Sequence, residues 1–589
     1  MPQDFIILFM NDHISKLLNF FNQYLNDLST HKIISEVNKK NINIDYNSKS
    51  KQGDVSSNFF LIIQKKILDK NFDLKSDLKN KLIKFEFIEK TEISNSGFIN
   101  IFFSKKYLIQ GLNNILDQKN NYGVFNFGKN KKINIEYVSA NPTGPIHVAH
   151  IRGAVFGDVL SSIFKKTGFK VIKEYYVNDS GSQIEILGNS LYSRYCQLLN
   201  IKTDLSNDEY PGEYLIEIAR ELVSKDSDKW LNQPIEKRKT YFKEFAVNFL
   251  INNIKKDLSL ININFDQFTL ETDIIKKNLI DKLFKLLKEK NLLYEGKLLK
   301  PKGVDLKNWE PRNQLLFKSS SLFDNEDRAF KKANGDCTYF ANDSAYHYDK
   351  YLRKFDKLIN IWGADHIGYI SRMKSVVYAI TNDETYLEVL TCQIVRLIKN
   401  SQIVKMSKRE GNFVTLRDVF NYVGKDALRY FMISTKNETS IDFDINKVVE
   451  KNKDNPVFYC QYAYARASSV INKTKNLDGN FSYKINEDQE LINYISKYEW
   501  EIILKLLSYP YMLYQASMYR EPHRITNYLE DLSETFLAFW NKGKDNESLR
   551  MIHESNLKKT QSKLIWLESF RIVFKNAFDI IGINAPESM

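Results

Sequence analysis

His147 and His150 are the only two of the eight histidines spaced as HxxH. They follow the turn Asn141-Pro142-Thr143-Gly144-Pro145 and stand where a helical pattern begins. Imidazoles one turn apart share a helix face, and a helix N-terminus attracts phosphate. Two ring N–H groups at that place can donate to the oxygens of an anion. A zinc pair fits less well, because helical zinc ligands more often read HExxH and no third ligand is near. A second segment, Lys405-Met406-Ser407-Lys408-Arg409-Glu410-Gly411-Asn412, offers two lysines able to reach a polyphosphate. A charge run alone is usually only a solvated surface. A chance KMSK in such a chain is on the order of a one per cent event.

These residues need elements to hold them. Lys132–Ala140, KINIEYVSA, alternates like a strand. The stretch from His147 has helical spacing, with Val148, Ile151, Val155, Val159, Leu160, Ile163 and Phe164 apolar and Gly168 as a stop. KVIKEYYVND is a second strand. Strand, helix and strand make a βαβ unit and predict a doubly wound parallel sheet. KLINIWGADHIGYISRMKSVVYAI followed by YLEVLTCQIVRLI repeats the pattern. In such a sheet the ligand crevice lies outside the carboxyl ends of the strands, which is where the HxxH turn falls.

We expect an α/β chain of three parts: a Rossmann-type catalytic domain, an N-terminal α+β domain and a C-terminal all-α helical bundle. Residues 1–115 mix helical periodicity with short strands, and FINIFFSKKYLIQGLNNIL reads as a strand running into a helix. GLNNILDQKNNYG is polar enough for a linker. Residues 116–414 form the catalytic domain, with a charged helical insertion at about 200–310 and the KMSK loop at 405–409. Residues 415–455 read as connecting helices, and 456–589 as a helical bundle. No repeat or low-complexity run interrupts this order.

The chain has 589 residues, 43% of them hydrophobic and 27% charged, which is a globular composition. Its four cysteines are far apart and form no CxxC, so neither structural zinc nor a disulfide framework is expected, and the compartment reads as reducing and cytoplasmic. The opening residues carry an acid early and only a short apolar run, so no signal peptide or membrane span is expected. Net charge is 85 − 72 = +13, which suggests an anionic partner. Residues 1–115 contribute 16 − 12 = +4 and residues 456–589 contribute 16 − 16 = 0, so +9 lies in the middle.

HxxH followed by KMSK is the paired signature of class I aminoacyl-tRNA synthetases. YVSANPTGPIHVAHIRGAVFGDVL, EYYVND, CTYFANDSAYH, WGADHIGYISRMK and KMSKREGNFVTLRDV together resemble bacterial arginyl-tRNA synthetases. Asp426-Ala427-Leu428-Arg429 supplies the letters after which that family's anticodon-binding domain is named. The resemblance covers essentially the whole chain. It implies that arginine and ATP, accompanied by Mg²⁺, give arginyl-adenylate, and that the arginyl group then passes to tRNA(Arg). His147, His150, Lys405 and Lys408 would stabilise the phosphate charge that develops. Pro142, Gly144, Met406 and Ser407 would line the ATP site, with Asp365 and His366 near the ribose or the substrate wall. Tyr339 and Asp343 match the guanidinium-binding pair, a planar cation being best met by a carboxylate. Ser139, Asn141 and His150 would hold the ammonium and carboxylate of the amino acid. Tyr459, Tyr462 and Arg466, with Phe458 and Tyr464 beside them, would meet the anticodon by stacking and by charge. As a family these enzymes activate arginine only with tRNA bound. A monomer is expected.

Two departures stand out. Ala149 occupies a position where the family usually has Gly, close to where class I enzymes lay adenine. Many arginyl enzymes lack the second Lys of KMSK and carry one just before HxxH; here Lys408 is present and Gly144 stands in the matching place. Three other readings compete. Another class I synthetase is disfavoured by Tyr339/Asp343 and by the absence of zinc-type cysteines. A nucleotidylyltransferase is disfavoured by the helical tail and the length. A non-catalytic paralogue is disfavoured by intact His147, His150, Lys405 and Lys408.

Overall fold

The computed structural model describes residues 13–35, 37, 42–47, 52–298, 312–404, 414–475, 477, 481 and 489–589. The chain forms two compact units, residues 130–165 with 170–450, and residues 1–129 with 166–169 and 451–589.

The first of these is built on a five-stranded parallel sheet. Its spatial order is Leu387–Cys392, Lys357–Gly363, Lys132–Glu136, Lys170–Val177 and Gln267–Leu270. Chain order therefore reverses at Lys132–Glu136. That strand pairs with Lys170–Val177 on one side and with the much later Lys357–Gly363 on the other. Such a reversal leaves a crevice at the carboxyl ends of the strands. The helix Val148–Lys166 makes the first crossover and stops before Gly168, which has φ 89. Gly157 lets this helix approach the sheet end: a Cβ there would lie 2.4 Å from the Tyr137 ring.

Two readings need correction. Residues 200–310, expected to be a helical insertion, do carry the helices Tyr214–Asp226, Ile235–Leu260 and Leu279–Glu289, but they also supply the sheet's edge strand Gln267–Leu270. Four residues are too few to show a period of two. The region after Thr415, expected to be helical throughout, contains the strand Ile441–Asp444, which pairs in parallel with Val395–Lys399. A separate antiparallel sheet joins Leu293–Lys297, Asn313–Phe317 and Arg328–Lys331.

The other unit begins with a four-stranded antiparallel sheet ordered Ile44–Tyr46, Val55–Ser57, Ile99–Phe103 and Ile88–Ile93. Ser104 caps the helix Lys105–Gln118, accepting a hydrogen bond from the Tyr107 N–H. The stretch expected to be a linker is thus helical as far as Gln118. Leu112, Ile115 and Leu116 are buried there, and Gly111 sits against Leu507 of the C-terminal bundle. The long helix Leu557–Ile581 is buried along most of its length, with Trp566, Phe570, Phe574 and Phe578 fully enclosed. Apolar residues all round a helix are what such enclosure requires.

Candidate active site

The turn leaving strand Lys132–Glu136 is strained. Val138 has φ 68 and Ser139 φ 39, and the Ser139 N–H bonds back to the Tyr137 carbonyl at 3.0 Å. A β-branched residue at positive φ costs about 1–3 kcal/mol and persists only where its surroundings impose it. Several bonds do so here. The Ser139 hydroxyl donates to Glu136 Oε1 at 3.0 Å and accepts from the Tyr176 N–H at 3.1 Å. Tyr175 donates to the Ala140 carbonyl at 2.8 Å, and Asn141 to Gln183 Oε1 at 2.9 Å. Tyr214 donates to the Thr143 carbonyl at 2.5 Å, over Gly144. Pro142 is buried.

This braced turn delivers His147 and His150 to the start of helix Val148–Lys166, their ring centroids 4.0 Å apart. The expected imidazole pair is thereby assembled at the sheet's switch point, on a positive helix end. Ala149 points its methyl to an exposed position.

Lys405, Met406, Ser407 and Lys408 lie outside the described residues. The backbone on either side of them does not. Val404 donates to the Leu397 carbonyl at 2.9 Å. Val148 donates to Val414 O at 3.2 Å and Leu416 to Ile146 O at 2.8 Å, so His147 bridges directly to Thr415. Thr415 then caps the helix Leu416–Met432 in a capping box with Asp418. The chain is thus back at the HxxH turn by Val414.

Across the crevice, Thr338 caps the helix Tyr339–Leu352. Tyr339 is 57% exposed and rests over Gly181, where a Cβ would lie 3.8 Å from its hydroxyl. Asp343, one turn on, is half-buried and accepts a 2.8 Å bond from the Tyr369 hydroxyl. Burial pushes its carboxyl up to about 7, with the charges of Glu271 and Glu136 adding to that, while Tyr369 holds it down. A cation seated there would relieve the same cost.

Glu271 is a residue that sequence reasoning missed. It is 2% exposed, at the carboxyl end of the edge strand Gln267–Leu270. Tyr176 donates to it at 3.0 Å, Asn342 at 2.9 Å, and Ser180 also donates to it. Asp179 fixes the neighbouring turn through the Thr272 N–H at 2.9 Å and hydroxyl at 2.5 Å. An acid ending a strand, in FTLETD, was the available signal. Asp365 and His366 also follow a strand end, in the short helical turn Ala364–Tyr369, but both are exposed.

In the other unit, Tyr459, Tyr462 and Arg466 lie on the helix Pro456–Thr474. Tyr462 and Arg466 line a pocket of about 450 Å³ together with Ser469, Lys473 and Met589. The Arg466 guanidinium sits 4.8 Å from the Tyr462 ring and 5.6 Å from that of Trp540. Tyr459 is half-buried outside that lining. Tyr464 is 3% exposed and belongs to the core, its ring 6.1 Å from that of Phe578.

Three family models match. "Arginyl tRNA synthetase N terminal domain" matches residues 15–103, "tRNA synthetases class I (R), catalytic domain" residues 111–468, and "DALR anticodon binding domain" residues 460–589. An arginine–tRNA ligase of Orientia tsutsugamushi (strain Boryong) is 42% identical over 542 residues, 91% of each chain. One from Wolbachia pipientis wMel is 38% identical over 566 residues, 96% of this chain and 97% of that one. The chain belongs to the arginyl-tRNA synthetases. Among solved structures, the arginyl-tRNA synthetase of Thermus thermophilus shares the fold, with TM-score 0.73 at 19% identity over 98% of this chain and 100% of that one.

In this arginyl-tRNA synthetase the letters Asp426-Ala427-Leu428-Arg429 fall outside the matched DALR domain. They lie in the catalytic unit, where Arg429 is 1% exposed. Its guanidinium donates to Asp158 on the HxxH helix at 2.7 Å and to the Ile261 carbonyl at 2.6 Å. None of the four cysteines of the synthetase forms a disulfide. No described helix is long and apolar enough to cross a membrane.

Proposed function

We propose that the crevice at the switch point activates L-arginine and that the chain then charges tRNA(Arg). An arginine carboxylate oxygen attacks the α-phosphorus of ATP. An O–P bond forms, the bond to the β-phosphate oxygen breaks, and pyrophosphate leaves. A ribose hydroxyl at the tRNA 3′ end next attacks the carbonyl carbon of arginyl-adenylate, and AMP leaves. The observation that carries the assignment of sites is one juxtaposition. Buried Glu271 and half-buried Asp343 form an acidic pair at the carboxyl end of one strand of the sheet, and the braced HxxH turn leaves the carboxyl end of another.

In this reading His147 and His150 donate to phosphate oxygens, where fixed donors stabilise charge as it develops. Lys405 and Lys408 hold the β- and γ-phosphates. Pro142, Gly144, Met406 and Ser407 complete the ATP site, with Asp365 and His366 at its edge. Asp343, Glu271 and Tyr339 take the guanidinium. Ser139, Asn141 and His150 take the head of the amino acid. ATP enters as its Mg²⁺ complex, the ion being carried by the phosphates. Among the described residues no group of three His, Cys, Asp or Glu is placed to hold a metal. Tyr459, Tyr462 and Arg466 meet the anticodon, the rings by stacking on unpaired bases and the guanidinium by charge. The enzyme works as a cytoplasmic monomer.

ATP–pyrophosphate exchange, run with each amino acid with and without tRNA(Arg), tests this. Exchange is expected with arginine alone among the amino acids, and only when tRNA is present. Exchange driven equally by lysine would refute the acidic pocket as the selecting site. Robust exchange with arginine and no tRNA would show that the free crevice is already complete.

A further inference from the structure

The helix that carries Tyr339 and Asp343 rests on a sheet face that mixes apolar and polar residues: Leu358 and Tyr176 pack with Ala341, Ala345 and Tyr346, while Asn134, Glu136, Glu174 and Asn360 are buried and polar. Asp343, Tyr346, His347 and Lys350 form its inward stripe, at helical spacing, and the last two are 3% and 0% exposed. The Lys350 ammonium donates to Glu136 Oε2 at 2.6 Å and to Asn360 Oδ1 at 3.2 Å. The Asn360 amide donates to His347 Nε2 at 2.8 Å. His347 Nδ1 then donates to the Asp343 carbonyl at 2.7 Å. At the other end Glu136 Oε1 accepts from Ser139, which accepts from the Tyr176 N–H. One orientation of the Asn360 amide and one tautomer of His347 satisfy every bond in this chain.

A second branch leaves the same lysine. Its ammonium lies 4.5 Å from the Tyr346 ring, Tyr346 stacks on Tyr176 at 4.1 Å, and Tyr176 donates to Glu271. His347 stays neutral across the working pH range, because burial, assisted by Lys350, pushes it down to about 3. The chain therefore keeps one pattern of donors and acceptors.

Its two ends are the two ends of the substrate site. Ser139 stands at the head of the amino acid and Asp343 at the guanidinium, so a fixed run of polar bonds spans the length that arginine must fill. We propose that Lys350 and His347 are positioning residues that set this length, and hence the preference for arginine over homologues one methylene longer or shorter. Packing alone discriminates a methylene by about 10–200-fold. A carboxylate held at a fixed distance from the head site adds to that, because a misplaced guanidinium leaves it unpaired. The inference rests on the assignment of Ser139 and Asp343 to the two ends of arginine.

The test uses three full-length variants. Glu136→Gln/Lys350→Met removes both charges of the buried pair together, so no lone charge is left behind. His347→Leu breaks the chain at a neutral link. Asp343→Ala tests the underlying assignment. Thermal unfolding first establishes which variants fold. Each folded network variant is expected to raise the KM for arginine about tenfold and to lower its kcat/KM preference over homoarginine by a similar factor. The KM for ATP should stay within about twofold. A folded network variant that keeps both the arginine KM and the preference overturns the proposal. So does one that lowers only kcat, which would mark a merely structural role. Should the double variant fail to fold, His347→Leu decides. If Asp343→Ala raises the arginine KM while the network variants do not, only this inference fails. If Asp343→Ala also leaves the arginine KM unchanged, the assignment of the pocket falls with it.

Discussion

The parallel sheet has two faces that meet their helices by different means. On one side lie Ile133, Ile135, Ile359 and Ile361, all nearly or fully buried. There Tyr137 approaches Gly157 of the HxxH helix, and a single ion pair at 3.2 Å, Lys173 with Asp158, joins them at the edge. On the other side the alternate residues Asn134, Glu136, Glu174, Thr269 and Asn360 are polar and buried. They meet His347, Lys350 and Arg353 through a connected set of bonds, among them Arg353 to Glu174 at 2.8 and 2.9 Å and Thr269 to Glu174 at 2.6 Å. Apolar packing tolerates small slides, since its attraction is summed over many weak contacts. Directed bonds do not, because one lost partner leaves a buried polar group unpaired. On the proposed assignment, the side that carries the HxxH helix, and with it the nucleotide, is packed. The side that carries Asp343, and with it the choice of amino acid, is bonded.

Three measurements break or sharpen this contrast. The largest effect is expected at Lys408, proposed above to hold an ATP phosphate. Lys408→Ala should lower turnover about 10²–10³-fold, the range for one lost electrostatic donor, with little change in the KM for arginine. A shift confined to the ATP KM would make it a uniform binder instead. Next is the pH dependence of arginine binding. Asp343, pushed up to about 7 by burial, is charged above that pH and neutral below it. Arginine affinity should therefore be complete above pH 7 and fall about tenfold per unit below it, as calorimetric titration reads. Tyr369→Phe removes a bond that holds the carboxyl down, so the inflection should move to higher pH. A flat profile would mean that the carboxyl is already ionised. The smallest effect is expected on the packed face. Ile135→Val should cost about 0.5–1.5 kcal/mol of stability and leave both Michaelis constants alone. A change in arginine KM there would show that the two faces are not separable.

The same contrast governs what could be read from the sequence. The HxxH turn was legible because the apolar periods of strand, helix and strand around it are long and regular, and the switch point then followed from topology. Tyr339 and Asp343 were found through the family resemblance carried by CTYFANDSAYH. Glu271 was not found, because its strand is four residues long inside a stretch dominated by helical periodicity. Glu136, His347, Lys350 and Asn360 were invisible for a deeper reason. Polar residues at alternate positions, as in KINIE, read as a solvated sheet face, and nothing local says that a helix with complementary charges will cover them. In the tail, Tyr462 and Tyr464 share one aromatic pattern, yet the first lines the pocket and the second is in the core. Spacing alone cannot separate those fates.

The backbone bonds on either side of residues 405–413 anchor the two points between which that stretch of chain must run. Val404 is fixed to Leu397, and Val414 and Leu416 are fixed to the HxxH turn. Holding two such points together is a loop closure, whose entropic cost grows only slowly with length and is met once, when the chain folds. Lys405 and Lys408, proposed above to hold the β- and γ-phosphates, belong to the closed stretch, so on that assignment the binding of ATP does not have to meet the same cost again.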